Sequence, residues 1–357
     1  MNKCIHGILL PFSLLYGMGV RLRNKLFDWG ILSSKSFDLP VICIGNLAVG
    51  GTGKTPHTEY LIRLLQKEGL HVATLSRGYK RKTKGFLLAN HQNTAQELGD
   101  EPYQMKQKFP NTRVAVDENR CHGIEQLKMI ENPKVDVVLL DDAYQHRYVK
   151  PGFTLLLTDY HRLFCHDSLL PAGRLREPTS GKQRANAIIV SKCPHNITEA
   201  ECTKISNQLR LSAEQKLYFS TFQYGELQNL FGRNEENITL NNRHVLLLTG
   251  IASPAPLVEE VKSKAEKVEL LAFADHHDFT PQEMLSILQR FETMDKEKRM
   301  VVTTEKDAAR LMNNPSLPKG LKPNIYVLPI EVKILQGEQD MFNQYIIEYV
   351  RTHSRNS

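Results

Sequence analysis

A glycine-rich segment between a predicted strand and a predicted helix constrains the fold of this chain more than any other feature. The strand is predicted at residues 41–45 and the helix at 55–67. In such a loop the backbone N–H groups can turn around a polyphosphate, and the helix N-terminus adds its positive dipole. This context is typical of a P-loop, whose lysine reaches the β and γ phosphates and whose next residue ligates Mg²⁺. We therefore predict a nucleotide-binding loop formed by Gly50, Gly51, Thr52, Gly53, Lys54 and Thr55.

The loop departs from the strict P-loop pattern at one position, and glycine-rich turns also occur at strand–helix junctions that bind no nucleotide. The pattern G-x-x-x-x-G-K-[ST] places a glycine where Ala48 stands. Gly45, three residues earlier, is expected to take over the bend. Because the glycines nearest Lys54 are intact, the sequence still favours a nucleotide site.

Two consecutive acids follow another predicted strand, at residues 135–140. The carboxyl ends of parallel strands open onto the ligand-binding edge of a sheet. P-loop proteins hold their metal ion there with a carboxylate and with the hydroxyl that follows the lysine. Asp141, Asp142 and Thr55 are therefore predicted metal ligands. A solvated turn would also account for the two acids.

The segment that would read the base of the nucleotide argues against guanine. Guanine-specific P-loop proteins usually carry N-K-x-D after a late strand. The nearest equivalent here is Ser191-Lys192-Cys193-Pro194, which lacks the aspartate. The sequence therefore favours adenine, and we expect ATP and Mg²⁺ as cofactors.

Short apolar runs alternate with longer amphipathic stretches after Pro40, with helices predicted at 55–67, 101–108, 118–130 and 198–210. This alternation predicts a parallel sheet covered on both faces. A polar stretch at 225–242 precedes a second alternating run. The predicted fold class is α/β: a P-loop NTPase-like parallel-sheet domain, a smaller α/β domain and an N-terminal amphipathic helix. The predicted boundaries are 1–35, 36–222, 223–334 and 335–357, with the last helix returning to the first domain.

Residues 1–35 carry much of the positive charge. The chain has 46 Lys and Arg against 39 Asp and Glu, a net charge of +7, and this segment holds five cations and one anion. One helical stripe is formed by Leu15, Met18, Leu22, Leu26 and Trp29. The flanking cations suit a helix in an anionic membrane interface, whereas packing on the protein's own core is the alternative. Because the charge lies beside this stripe and no recognition motif appears, we expect no nucleic-acid partner.

Further motifs, taken together with the loop and the acid pair, resemble the tetraacyldisaccharide 4′-kinase family of lipid A biosynthesis. The resemblance covers most of the chain, and its specificity comes from the order and combination of the motifs. They are Gly45-Asn46 before the loop, Ser76-Arg77-Gly78-Tyr79, Gly99-Asp100-Glu101-Pro102, Asp141-Asp142-Ala143-Tyr144-Gln145-His146, the segment from Leu169 to Pro178, Asp275-His276-His277-Asp278-Phe279 and Thr303-Thr304-Glu305-Lys306-Asp307.

The resemblance implies an activity: transfer of the γ-phosphate of ATP to the 4′-hydroxyl of a tetraacyldisaccharide 1-phosphate, which gives lipid IVA. It also implies an N-terminal helix that docks on the cytoplasmic face of the bacterial inner membrane. A different function stays open at this point, that of a membrane-associated P-loop ATPase switch acting on a protein partner.

Roles for individual residues follow from the same resemblance. Lys54 resembles the phosphate ligand, Asp100 the acid proposed as catalytic base, and His276 the histidine that pairs with that acid from the second domain. From the residues alone, Asp100 would more often cap the helix that follows it. The segments that line the family's cleft contain Arg77, Tyr79, Arg120, Gln145, Arg176 and Glu177.

One motif departs from the family pattern. The family's usual D-D-G-F-Q-H has alanine in place of the glycine here, at Ala143. If that position required a positive φ, Ala143 would be strained. We expect the site to tolerate the change, because the two acids, Gln145 and His146 are present.

Overall fold

The computed structural model describes residues 3–232, 238–251, 254–274 and 277–354. Its strands form two sheets. The larger sheet contains β1 (Val41–Asn46), β2 (Val72–Ser76), β3 (Leu87–Leu88), β4 (Arg113–Val116), β5 (Val137–Asp141), β6 (Phe153–Asp159), β7 (Ala187–Ser191), β8 (Lys216–Tyr224) and, late in the chain, β14 (Ile330–Ile334). The smaller sheet contains β9 (Gln228–Asn229), β10 (His244–Thr249), β11 (Lys267–Ala272), β12 (Arg299–Thr303) and β13 (Ile325–Val327).

The helices lie between the strands in sequence. They are α1 (Lys3–Asp28), α2 (Lys54–Lys67), α3 (Ala95–Leu98), α4 (Asp100–Lys108), α5 (Arg120–Lys128), α6 (Glu199–Leu209), α7 (Ala255–Lys264), α8 (Pro281–Glu292), α9 (Glu305–Met312) and α10 (Gln339–Ser354). Short 3₁₀ turns occur at Phe164–His166, Thr179–Arg184 and Lys322–Asn324.

The larger sheet has the order β14-β8-β7-β6-β1-β5-β2-β4-β3, with the strand of the glycine-rich loop at its centre. Strand β1 is parallel to both neighbours, β5 and β6. The pairs β3–β4 and β8–β14 are antiparallel. A mostly parallel sheet with intervening helices confirms the predicted α/β class.

Both faces of β1 are buried, which explains its uninterrupted apolar sequence. Ile42 and Ile44 point to a cluster that includes Leu61 and Leu65 of α2. Val41 and Cys43, on the opposite face, join a cluster with residues of α5. The alternation of a pleated strand therefore fixes the start of the glycine-rich loop against helices on both sides.

Helix α5 begins two residues later than predicted. Asn119 is its N-cap, and the Asn119 side chain accepts a hydrogen bond from the backbone N–H of His122 at 3.2 Å. The predicted helix started at residue 118, before this capping residue. An asparagine whose side chain takes up an otherwise unpaired N–H is a strong local start signal.

Two antiparallel strands connect the sheets. Strand β8 leads out of the larger sheet, β14 leads back into it, and Tyr224 lies opposite Ile330 in their ladder. We call β1–β8, β14, α2–α6 and α10 the larger lobe, and β9–β13 with α7–α9 the smaller lobe. Helix α10 belongs to the larger lobe because it returns to β1: the Tyr349 hydroxyl contacts the backbone N–H and the carbonyl of Val41, both at 3.1 Å.

Helix α1 leaves its predicted apolar stripe open to solvent. Leu15, Met18, Leu22 and Trp29 are 57–66% exposed, and Leu26 is partly buried. Polar contacts fix the helix to the larger lobe on another side, such as the hydrogen bond from the Ser13 hydroxyl to the Leu169 carbonyl at 3.0 Å. These exposures contradict the alternative in which the stripe packs on the protein's own core.

A membrane-spanning helix must be both long and apolar, and none of the described helices combines the two properties.

Candidate active site

The glycine-rich loop leaves β1 and enters α2 at the centre of the carboxyl edge of the larger sheet. Gly50 and Gly53 have φ of 115° and 83°, values that side chains other than glycine rarely tolerate. The expectation that Gly45 forms a bend was wrong, because Gly45 lies inside β1. A Cβ added at Gly45 would lie 2.6 Å from the Cβ of Tyr144, so this glycine provides room rather than a turn.

Asn46, the last residue of β1, organises the loop from beneath. Its side-chain amide donates to the Thr52 hydroxyl at 2.9 Å, and its Oδ1 accepts from Arg176. The ammonium of Lys54 lies 3.5 Å from the same oxygen. The sequence analysis included Asn46 in a family motif but assigned it no role; in the structure its amide is fully buried at the end of an apolar strand, where it needs hydrogen-bond partners.

The two acids after β5 have different environments. Asp141 is buried and accepts a hydrogen bond from the Thr58 hydroxyl at 3.3 Å. Burial, aided by the Glu101 carboxylate, raises the pKa of Asp141 above its ordinary value, and Lys54 opposes this shift. Asp141 closes the strand, which places its carboxylate beside α2.

Asp142 lies outside the strand and is half exposed. Its carboxylate accepts from both terminal nitrogens of Arg176, at 2.7 and 3.3 Å, and lies 3.6 Å from Lys54. Burial disfavours the charged form, but Lys54 and Arg176 outweigh this effect and hold the pKa of Asp142 below its ordinary value. Asp142 is therefore an ionised carboxylate at neutral pH.

The residue after the acid pair is not strained. The positive φ in this turn, 48°, belongs to Asp142 and not to Ala143. Ala143 is buried among the apolar residues beneath the sheet edge. The alanine in place of the family's glycine therefore carries no backbone cost here.

The donors at this edge suit a magnesium ion. A P-loop hydroxyl from Thr55 and carboxylates from Asp141 and Asp142 are hard oxygen ligands, and Mg²⁺ usually takes only one or two carboxylates and completes its shell with phosphates and water. Within the described ranges no cluster of three or more His, Cys, Asp or Glu side chains could hold a metal by protein ligands alone. The residues present therefore fit a nucleotide-bound magnesium rather than a closed protein site.

The buried Glu177 side chain is connected to the glycine-rich loop by hydrogen bonds. Its carboxylate accepts from the Gln145 amide at 2.8 Å and from Arg184 at 2.8 Å. Gln145 donates in turn to the Asn46 carbonyl at 2.9 Å. Of the predicted cleft residues, Glu177 and Gln145 thus connect the acid-pair turn to the glycine-rich loop.

Three arginines, Arg23, Arg77 and Arg120, lie near His146 and beside the acid pair, and we call them the arginine cluster. Burial, together with the charges of these arginines, lowers the pKa of His146 to about 4. The Nε2 of His146 and the Nε of Arg120 are buried and have no hydrogen-bond partner among the described residues. The positive charge of the cluster favours an anionic group nearby.

Tyr79 and Arg77 follow β2, the strand next to β5. Tyr79 is exposed, and its ring lies 5.7 Å from the ammonium of Lys80. The backbone of residues 78 and 79 packs against Gly99, where a Cβ would lie 3.1 Å from the Tyr79 carbonyl oxygen. The close approach of the two turns brings this segment next to the start of α4.

Asp100 is the first residue of α4, and Gly99 is the N-cap. Asp100 therefore does not occupy the capping position that sequence reasoning offered as the alternative to catalysis. Its carboxylate contacts Arg310 of the smaller lobe at 2.8 Å. The predicted partner of Asp100, His276, lies outside the described residues.

The chain is similar to known proteins over nearly its whole length. The model of the family described as "LpxK: Tetraacyldisaccharide-1-P 4'-kinase" matches residues 5–351. A protein of Bacteroides thetaiotaomicron named tetraacyldisaccharide 4'-kinase is 57% identical over 99% of this chain and 95% of its own length. A protein of Parabacteroides distasonis with the same name is 50% identical over 98% of this chain and 96% of its own length.

A solved structure has the same architecture. It is a crystal structure of "apo" form LpxK from Aquifex aeolicus in complex with ATP. The TM-score is 0.74 at 30% identity, and the match covers 97% of this chain and 99% of the other. The glycine-rich loop, the acid pair and Asp100 lie within the matched family region, and the chain therefore belongs to the tetraacyldisaccharide-1-P 4'-kinase family.

Proposed function

We propose that this protein transfers the γ-phosphate of ATP to the 4′-hydroxyl of a tetraacyldisaccharide 1-phosphate and so forms lipid IVA in lipid A biosynthesis. Family membership supports the reaction. The observation that carries it is the 3.6 Å contact between Lys54 of the glycine-rich loop and Asp142 of the acid pair, at the carboxyl edge of the larger sheet. The alternative of an ATPase switch for a protein partner is not favoured by these comparisons.

The nucleotide side of the reaction is assigned to the glycine-rich loop. Its backbone N–H groups, together with the Lys54 ammonium, would hold the β and γ phosphates and neutralise the charge that develops during transfer. Thr55, Asp141 and Asp142 would hold Mg²⁺, which would supply positive charge to neutralise the phosphates. Lys54 already lies between Asn46 and Asp142, so the loop is organised before the nucleotide arrives.

The acceptor side is assigned to Asp100. An alcohol must lose a proton as its oxygen attacks phosphorus, and a positioned carboxylate can accept it. An isolated aspartate is a weak base, with a pKa of about 3.9, so we propose that His276 pairs with Asp100, orients it and shares the proton. His276 would come from the smaller lobe, so that closure of the lobes completes the pair.

Substrate recognition is assigned to the arginine cluster and its neighbours. The positive charge of Arg77 and Arg120 suits a phosphate group of the substrate, and Tyr79 lies two residues after Arg77. Arg176, Gln145 and Glu177 would act mainly by holding the loop and the acid pair, because their side chains are hydrogen-bonded to those elements.

The acyl chains of the substrate, and the membrane that supplies it, are assigned to α1. The Tyr16 hydroxyl donates to the Arg176 carbonyl at 2.8 Å, and Arg23 donates to the Gln145 carbonyl at 3.1 Å. The apolar stripe of α1 therefore begins beside the phosphate site. We propose that it lies in the anionic surface of the cytoplasmic face of the bacterial inner membrane.

The decisive experiment is an acceptor-dependent kinase assay. The purified full chain with Mg²⁺ and γ-labelled ATP is expected to place one phosphate on the 4′ position of tetraacyldisaccharide 1-phosphate. Asp100→Asn is expected to lower kcat by about 100-fold or more, the usual contribution of a general base, and to bind ATP normally. No label in the acceptor, with ATP hydrolysis that rises when a protein partner is added, would instead support the ATPase switch.

Membrane contact is tested separately. Replacing Leu15 and Met18 together by glutamate is expected to release the protein from vesicles that contain anionic phospholipid, because two charges enter the apolar stripe. Leu285→Glu is the matched control, since Leu285 is 58% exposed on α8 of the smaller lobe. Equal vesicle binding by the α1 variant and the control would contradict the assignment.

A further inference from the structure

The contact between Arg310 and Asp100 crosses from one lobe to the other. Arg310 lies on α9, and its Nη2 and Nε donate to the same oxygen of Asp100, Oδ2, at 2.8 and 3.3 Å. The Arg310 side chain is only 5% exposed. We infer that Arg310 is a positioning residue that fixes the orientation of the Asp100 carboxylate. This inference rests on the proposed function, in which Asp100 accepts the proton of the acceptor hydroxyl.

Arg310 is itself held rigidly from behind. Its Nη1 donates to Oδ1 of Asp307 at 3.1 Å, and Asp307 is fully buried. The other oxygen of Asp307 accepts from the Gly250 backbone N–H at 2.9 Å and from the Thr304 hydroxyl at 2.7 Å. The Asp307 carboxylate therefore holds the guanidinium through Nη1, while the edge formed by Nε and Nη2 faces the Asp100 carboxylate. A lysine has no planar group with two such edges.

Fixing one carboxylate oxygen matters for a base because an aspartate side chain otherwise samples several rotamers. A displacement of about 1 Å in a reacting group can cost about 100-fold in rate. With Oδ2 held by two nitrogens of Arg310, rotation of the Asp100 carboxylate is restricted. The smaller lobe thus aligns a group that belongs to the larger lobe.

The packing of α4 against α9 does not depend on Arg310 alone. The Tyr103 hydroxyl donates to the Asn313 side chain at 3.3 Å, and Lys108 forms an ion pair with Glu305. Both contacts join the same two helices further along α4. Loss of the Arg310 side chain should therefore remove the orienting contact with the Asp100 carboxylate while the helices stay together.

The test is steady-state kinetics of the full chain with ATP and tetraacyldisaccharide 1-phosphate. Arg310→Met is expected to lower kcat about 100-fold and to leave the KM for ATP unchanged. Arg310→Lys is expected to be intermediate, because it keeps the charge and loses the second donor. Arg290→Met is the control, since Arg290 makes an exposed ion pair with Glu269 on the same lobe.

A second variant keeps the test valid if Arg310→Met does not fold. Arg310→Met leaves Asp307 buried without its cation, which can be strongly destabilising. Combining Asp307→Asn with Arg310→Met removes both charges and still removes the contact between Arg310 and the Asp100 carboxylate. This double variant is expected to show the same loss of kcat with a melting temperature close to that of the control.

The decisive measurement compares kcat of Asp100→Asn with kcat of the double variant Asp100→Asn, Arg310→Met. If Arg310 acts only through the Asp100 carboxylate, adding Arg310→Met there should leave kcat at the value of Asp100→Asn alone. A wild-type kcat in the Arg310 variants, or an equal further loss in the Asp100→Asn background, would overturn the inference. Absence of acceptor phosphorylation by the wild-type chain would instead overturn the proposed function.

Discussion

Acidification is expected to destabilise the larger lobe through His57, a buried residue on α2 close to Lys54. The Nδ1 of His57 lies 2.7 Å from the Gly53 carbonyl oxygen, and its Nε2 lies 2.9 Å from the Ser220 hydroxyl. Because a carbonyl can only accept, Nδ1 carries the hydrogen and Nε2 accepts from Ser220. The ring is therefore built into the loop as a neutral imidazole, and a second proton would remove the acceptor of Ser220.

The size of the effect follows from the pKa. Burial lowers the pKa of His57 from 6.5 to about 4, although its hydrogen bond to Gly53 acts in the opposite direction. Above pH 6.5 the ring is neutral in both states, and His57 costs no stability. Below pH 6.5 the unfolded chain binds a proton that the folded chain does not, so stability falls until about pH 4. At about 1.4 kcal/mol per pH unit, the full loss is about 3 kcal/mol, and about 2 kcal/mol of it falls between pH 7 and pH 5.

The measurement is the free energy of unfolding in urea at pH 7 and pH 5, for the wild type and for His57→Gln. Glutamine can donate to Gly53 and accept from Ser220, but it does not titrate. Between pH 7 and pH 5 the wild type should lose about 2 kcal/mol more than the variant. Other acids with raised pKa values, such as Glu59, are common to both proteins and cancel in the comparison.

The control for this experiment is His91→Gln, which removes a histidine from the exposed surface. It should show the pH dependence of the wild type. A difference between wild type and His57→Gln that stays constant from pH 7 to pH 5 would refute the reasoning, because the folded chain would then take up a proton at His57 over the same pH range as the unfolded chain.

Two further predictions concern the glycine-rich loop. Gly45→Ala should lower stability by about 1–3 kcal/mol, because the new methyl group would overlap the Cβ of Tyr144; an unchanged melting temperature in calorimetry would contradict this. Lys192→Met should raise the KM for ATP about tenfold with little change in kcat. The Lys192 ammonium donates to the Gly51 carbonyl and pairs with Asp159 at 2.7 Å, so it helps to hold the loop. A hydrogen bond from a charged group contributes about 1.5–3 kcal/mol. Steady-state kinetics with ATP varied will check it, and a fall in kcat at constant KM would count against a role in holding the loop.

Local patterns in the sequence were sufficient for the elements that carry the nucleotide site. An apolar run followed by glycines and Lys54 predicted β1, the loop and α2, because strand periodicity, turn chemistry and a helix start are all encoded within a few residues. The same reasoning predicted that the acids follow β5. It also predicted that the residues of α1 share one apolar face, since a period of 3.6 residues needs no knowledge of the rest of the chain.

Errors occurred where a residue's purpose depends on a distant neighbour. Gly45 was expected to form a bend, but its small size is required by Tyr144 from another strand connection. Asn46 was assigned no role, and its buried amide turned out to order the loop. Both residues are explained only by side chains that approach from elsewhere in the sheet.

The sequence by itself therefore determined the elements, their order and the class of ligand, because each depends on short-range periodicity and spacing. Only the tertiary structure decided which groups meet. It placed Tyr16 and Arg23 of α1 against the backbone of Arg176 and Gln145, and it brought Arg310 to Asp100 across 210 positions. Contacts of this kind depend on how the two lobes pack, and packing is a property of the whole chain that no local pattern contains.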